Sequence, residues 1–522
     1  MEVIRLLALS TDLEVSRAMI ESIPLIIPYL HQGKVNNEVI GIAISLVLEK
    51  SREDITVMAL GLVSKIAKDI GSNLTEKYFY REIFEISQDY TVNIGKAVVE
   101  LIAEAFKLPF ADSLRSKLIG VFIKFMESDN WSIRKHCISF LPRVYKNSDQ
   151  SMQDLLLPLF IKSLKDKKKF VKEQSINTCC CIIVYSKIPI PNEIIKNFLK
   201  VSDSGHYHAA YYFPGVLLTL GTNHWPELKK LLLKLSDSDI RTKTCIVKSF
   251  HEIGKILGAE VTGKELIDLY EKFLEDEEIK FTAYENLPNF LREIFPEARD
   301  KYKGIVKGMG REKEWRSRNL MAKNICEYIG VYDYNCIYSE IWPLALELCE
   351  DLHCTVRLNA AKEVAKLAMY LLSKNSDWRR HIEMCIKKYA LGSVNNRIVF
   401  LKIVKHFAGT ELAADFTEEI LNLSKDKVKN VRIMCAEAVN FSSKLDHVWS
   451  NAKEILLNDE DKDVLFEFGR AMKFNNNVLF VTPPIMRRVH NIEVGGIVKF
   501  SHANPPKFAK IEDFEDISHL VS

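Results

Sequence analysis

Between residues 311 and 472 one local pattern returns five times: REKEWRSRNLMAKNI, EDLHCTVRLNAAKEV, LGSVNNRIVFLKIV, DKVKNVRIMCAEAV and DEDKDVLFEFGRAM. In four of the five copies an acid precedes the helical stretch. Six positions after the anchor, a slot holds Arg318, Arg357, Arg397 and Arg432, and Leu465 in the last copy. Apolar residues then recur at i, i+3, i+4 and i+7, the face of a packed α-helix. No other feature constrains the fold as far. A helical unit of this period cannot bury its apolar face alone and must stack on its neighbours.

The pattern extends backwards. Anchors fall near Asp12, Asp54, Asp89, Asp129, Asp166, Asp203, Asp237 and Asp276, then near Glu312, Asp351, Leu391, Asp426 and Asp459. That is about thirteen units at a mean spacing of roughly 37 residues, the range of paired-helix repeats. Alternating apolar segments of the kind strands require are rare. The expected fold is all-α, a solenoid superhelix of about thirteen helix pairs.

Each repeated residue has a physical reason. An acid in the turn between paired helices caps the second helix and favours its positive end. The basic slot, one and a half turns on, reaches an acid of the adjoining repeat and fixes the stacking register. The expected ladder comprises Asp129, Asp166, Lys172, Arg318, Asp351, Arg357, Arg397, Asp426 and Arg432. Exposed pairs contribute ~0.2–1 kcal/mol each, so such a ladder sets geometry while buried Leu, Ile, Val and Ala supply the driving force.

Two units depart from the pattern. The sixth, DSGHYHAAYYFPGVL, has Ala209 in the slot and clusters Tyr207, Tyr211, Tyr212 and Phe213. The eighth, EDEEIKFTAYENLPNF, is shortened, and Lys280 arrives early. Bends, a partner-contact patch and drift in a core-facing helix all account for such changes.

Composition narrows the function. Net charge is +3, with 72 basic and 69 acidic residues, which argues against a nucleic-acid binder. The basic run Lys165 to Lys169 is interleaved with acid and reads as a solvated face. No apolar run approaches a membrane span, and MEVIRLLALSTD has no signal-peptide core, so a soluble intracellular chain is expected. Eleven cysteines without a CxxC pair point to a reducing compartment, cytoplasmic or nuclear. Cys179, Cys180 and Cys181 point to different sides of a helix and read as small buried residues.

Catalytic signatures are absent. Gly258 to Lys264 has the GxxxxGK spacing, but Glu265 stands where magnesium binding needs Ser or Thr, and the segment reads as a turn between helices. His206 and His208 face apart on a helix and have no third ligand nearby. Neither HExxH nor GxSxG occurs. No enzyme activity, cofactor or metal is expected.

The C-terminal units resemble the HEAT-repeat (armadillo-like) scaffold subunit of protein phosphatase 2A. The resemblance lies in EWRSR (Glu314 to Arg318), in the segment Ser376 to Val404 opened by Trp378, and in DKVKNVRIMCAEAV from Asp426. It implies a non-catalytic scaffold that holds a serine/threonine phosphatase catalytic subunit on the turns of its C-terminal repeats. N-terminal repeats would hold a variable regulatory subunit. By position, Trp315, Arg316, Trp378, Asn430 and Val431 would bind the catalytic subunit. The unit count falls below that family's usual fifteen, and the tail is longer, which also fits the related regulatory subunit of protein phosphatase 4. A HEAT-repeat transport adaptor is a further alternative. The resulting division is 1–310 for the regulatory partner, 311–474 for the catalytic subunit, and 475–522 as a partly disordered tail. Thr482-Pro483-Pro484 in that tail reads as a turn or a phosphorylation site.

Overall fold

The computed structural model describes residues 2–27, 38–49, 52–70, 77, 83–108, 112–443, 445 and 447–469. Expectations for the tail 475–522 lie outside them. Among the described residues the chain is all helix and turn, with an isolated bridge between Ile329 and Tyr332 and no strand. Each anchor read from the sequence falls in the first turn of a helix or just ahead of one. Two compact units divide between Ser249 and Phe250. The 310/311 boundary rests on repeat fidelity, a different property.

In the first unit the helices Leu13–Ile26, Glu53–Ile70, Val92–Ala105, Trp131–Lys146, Lys169–Tyr185 and His206–Leu220 each pack on the next. The helices Ile40–Val47, Asp112–Met126, Gln150–Ser163, Asn192–Phe198 and Trp225–Ser236 form a second layer on that row. Several of these helices start where side chains satisfy free N–H groups. Asn130 accepts from Ser132 N at 2.9 Å, and Asp149 from Met152 N at 2.8 Å. Their apolar faces close the core: Val98, Val99 and Ile102 are fully buried, as are Val171, Cys179, Ile182 and Ile183. Full burial of such a side chain contributes about 1.5–3 kcal/mol, far above an exposed ion pair. Successive repeats are also tied by the buried Gln153 amide. It donates to Tyr145 O at 2.8 Å and Tyr185 O at 3.0 Å, and accepts from Lys187 N at 2.7 Å.

The second unit has the same two layers. Lys280–Arg292, Trp315–Asn324, Cys354–Lys374, Val394–Lys405, Lys429–Ser442 and Lys462–Gly469 stack in order. Beside them run Ile267–Glu275, Lys303–Arg311, Trp342–Cys349, Arg379–Ala390, Thr417–Leu423 and Ser450–Leu457. An aromatic knot anchors its beginning. Tyr270 stacks on Phe290 with centroids 4.0 Å apart and donates its hydroxyl to Ala283 O at 2.7 Å, beside Phe250 and Phe273. Layers approach closely at Gly310, where a Cβ would meet Leu344 Cδ1 at 2.7 Å.

Candidate partner-binding ridge

The turns joining the paired helices carry one repeated device. Arg318 Nε and Nη2 donate to the Asp351 carboxylate at 2.5 and 3.1 Å. Its Nη1 donates back to Glu312 O at 2.7 Å and Lys313 O at 2.9 Å. One guanidinium therefore ties its own turn to the next. Arg432 repeats the arrangement with Asp459, at 2.6 and 3.1 Å, and holds Asp426 O at 2.9 Å. Arg397 reaches Asp426 through Nε at 2.8 Å and holds Gly392 O at 2.8 Å. In the first unit Arg134 does the same with Asp166, at 2.8 and 3.0 Å, and takes the carbonyl of Asp129 at 3.0 Å.

The acids are turn-formers more than helix caps. Asp166, Asp351 and Asp426 each accept from the backbone N–H two residues on, at 2.8, 2.7 and 2.8 Å. The residues thus held, Lys168, His353 and Val428, are the caps, and they make no side-chain cap bond. An Asx turn explains why Asp sits one step further out than helix capping alone requires. The Arg134 hydrogen bond holds Asp166 below the ordinary carboxylate value, and Arg432 does so for Asp459. At Asp351 burial pushes upward, but the hydrogen bonds from Arg318 and His353 N–H outweigh it and the net direction is down.

Two expected rungs do not form. Lys172 is exposed and, among the described residues, makes no ion pair; Asp166 is taken by Arg134 of the preceding repeat. The reach runs forward between repeats, so Lys172 would need the Asp203 carboxylate, which lies beside His206 at 3.6 Å. Arg357 holds Asp351 O at 2.7 Å and Leu352 O at 2.9 Å, but Leu391 occupies the next acid position. In the shortened eighth repeat Lys280 substitutes a longer contact, 3.5 Å to Glu312.

Of the expected contact residues, Trp315 is half-buried, with its ring 5.4 Å from His353 of the next turn and 20° from parallel. Arg316 lies 5.5 Å over that ring and pairs with Glu314 at 3.0 Å. Asn430 is exposed at the start of its helix. Val431 is fully buried, because it begins the helix's apolar face; it belongs to the core and not to the ridge. Trp378 packs on Tyr338 with centroids 4.0 Å apart. It follows the far end of Cys354–Lys374, a 21-residue helix about 31 Å long, so it sits on the opposite edge of the repeat. The structure adds Leu352 and Leu391, 93% and 89% exposed at the turn tips. Their apolar character in an otherwise polar turn was the available signal.

Sequence features with catalytic spacing resolve into structure. The Gly258 to Lys264 segment is the helix Ala259–Glu265, entered through Gly258 at φ 81°, and not a loop. Its Lys264 pairs with Glu260 at 2.8 Å. His206 is buried, with Nδ1 2.8 Å from Ser238 Oγ. Cys179, Cys180 and Cys181 are all buried, and burial raises the Cys179 thiol. Among the described residues no three metal-ligating side chains converge, and no helix is long and apolar enough to cross a membrane.

Comparison with known proteins joins this geometry to a relationship. Residues 209–309 match the family of the protein phosphatase 4 regulatory subunit 1 middle domain. The serine/threonine-protein phosphatase 4 regulatory subunit 1 of Homo sapiens is 24% identical over 273 residues, and that of Rattus norvegicus 23%. These matches cover 48% of this chain and 29% of those proteins. Among solved structures, Kap121p bound to Ste12p superposes with a TM-score of 0.60 at 10% identity, over 91% of this chain and 57% of that one. At that identity the likeness concerns the fold alone. The chain is an all-α, HEAT-type solenoid related at low identity to the phosphatase 4 regulatory subunit 1, the second of the two phosphatase resemblances read from its sequence.

Proposed function

We propose that this chain is a non-catalytic regulatory subunit of a protein phosphatase 4-type serine/threonine phosphatase. The match of residues 209–309 to the middle domain of that regulatory subunit carries the reading. In this reading the repeats of 311–474 hold the catalytic subunit on their turn ridge, with Trp315, Arg316 and Asn430 in contact. The geometry suits that role. A rigid, arginine-tied row of turns offers spaced side chains at little ordering cost, and a half-buried Trp beside an exposed Arg has the composition of an interface anchor.

The test is binding of the purified chain to type 4 and type 2A catalytic subunits, each measured separately by calorimetry. The expected result is binding to the type 4 subunit that exceeds type 2A by tenfold or more, a difference of about 1.4 kcal/mol. Equal binding, or preference for type 2A, refutes the type 4 assignment. Absence of binding to both, with the fold intact, refutes the phosphatase reading altogether.

A further inference from the structure

We propose that Arg357 is an open rung of the ridge, and that a carboxylate of the bound partner fills it. The occupied rungs of this same chain act as the control. In four of them one guanidinium edge clasps its own turn, and the other edge, Nε with Nη2, meets an Asp of the next turn. Those arginines are 14–21% exposed and their acids 6–10% exposed, so each rung is largely desolvated. Arg357 keeps the first half of the device, with Nη1 on Asp351 O and Leu352 O. In the sister repeats the same clasp leaves the second edge to the next turn, which here begins at Leu391. No carboxylate of the described residues meets it there. Asp351, the acid of its own turn, is already bound by Arg318.

The two most exposed large apolar residues of the described chain lie in the two turns concerned: Leu352 in the turn that Arg357 clasps, and Leu391 at the acid position of the next. Isolated exposed leucines need no explanation. A pair of them in the two turns that an unfilled arginine rung would join is a different arrangement. It complements an Asp or Glu set between apolar side chains, because the fork matches a carboxylate in two hydrogen bonds and the leucines exclude water around it. The occupant is therefore an acidic, apolar-flanked loop of a protein. This rests on the phosphatase reading, which makes that protein the catalytic subunit.

Two measurements test the assignment on the full chain. Phenylglyoxal modification, read by mass spectrometry, is expected to label Arg357 faster than Arg318, Arg397 and Arg432, and the type 4 catalytic subunit is expected to protect it. Leu391→Asp closes the rung from within: Arg357 becomes protected in the free chain, and catalytic-subunit affinity falls about tenfold. Leu391→Asn removes the same leucine without adding the charge, so Arg357 stays reactive in the free chain and the affinity loss is smaller than that of Leu391→Asp. Equal labelling of all four arginines, or undiminished binding by Leu391→Asp, overturns the proposal. A complex in which Arg357 stays reactive also overturns it while leaving the phosphatase reading intact. Failure of the parent chain to bind any phosphatase catalytic subunit brings both down together.

Discussion

Replacing Arg318 with Met keeps most of the side-chain volume and removes every polar contact of one rung. Asp351 then loses two charge-assisted hydrogen bonds, and the carbonyls of Glu312 and Lys313 lose theirs. The pair is 14% and 6% exposed, so neither group regains full hydration. Truncating one partner of a fully buried pair costs about 3–5 kcal/mol, and an exposed pair ~0–1 kcal/mol. Asp351 retains the N–H of His353 at 2.7 Å, which places the expected cost between these, at about 2–3 kcal/mol.

A solenoid need not unfold in one step, so a single melting temperature is a poor readout. Hydrogen exchange of the amides of Trp315–Asn324 and Cys354–Lys374 reports the local opening energy directly. The double variant Arg318→Met with Asp351→Asn is expected to recover about 1–2 kcal/mol of the loss, since the stranded charge is gone. Lys162→Ala, which breaks the exposed pair with Glu127, is expected to leave exchange unchanged. If Arg318→Met costs no more than Lys162→Ala, the rungs are ornaments of packing and the register argument fails.

Other outcomes follow from single residues. Burial pushes the Glu252 carboxyl up to about 7 from 4.5, with Lys255 opposing. The folded state thus holds a proton that the unfolded state has released, and stability declines as pH rises from 4.5 through about 7. Glu252→Gln should flatten that slope in pH-dependent denaturant titrations and stabilise at pH 8 by on the order of 1–2 kcal/mol, since the group is only partly buried. Asp166 and Asp459 shift the other way. Their contribution is complete above the ordinary value of 3.8 and is lost as pH falls through their lower folded values, so exchange at these turns should accelerate on acidification. Tyr270→Phe strands Ala283 O in the aromatic knot and should cost about 1–2 kcal/mol by urea denaturation of the full chain. Gly310→Val forces Leu344 aside and should cost about 1–3 kcal/mol by the same measurement; no change there would show that the layers have room to slide.

Much of this architecture was legible because stacking reuses one solution. Arg318, Arg397 and Arg432 recur at the same place in their units because each must clasp its own turn and span to the next. A requirement repeated along the chain is visible to the eye as a period. The partner of each rung was less legible. Asp166 and Lys172 share a turn and suggest a pair, yet the guanidinium reach runs between repeats, and Arg134 takes the acid. Val431 and Asn430 differ in role although adjacent, since a helix turns 100° per residue and only one of them faces the core. Trp378 could be assigned an edge only once the length of the preceding helix was known.

Fold and family are written in different residues. The positions that obey the repeat are those every stacked helix pair requires, so they identify a solenoid and say little about which one. The family match falls on 209–309, which takes in the degenerate eighth unit and most of the sixth, the units that the pattern reads as its weakest part. There Tyr212 meets Tyr185 with hydroxyls 3.2 Å apart inside the core, and Lys280 reaches Glu312 in place of a full rung. Such departures are not dictated by the stacking rule, which every helix pair of the solenoid shares. By the same logic, the informative residue on the ridge is the one that breaks the ladder. An acid at 391 would satisfy Arg357 at no cost to packing, because Leu391 is almost wholly exposed. Keeping an exposed leucine there forgoes a stabilising rung that the flanking turns retain, and that forgone rung is the observation on which the proposal for Arg357 rests.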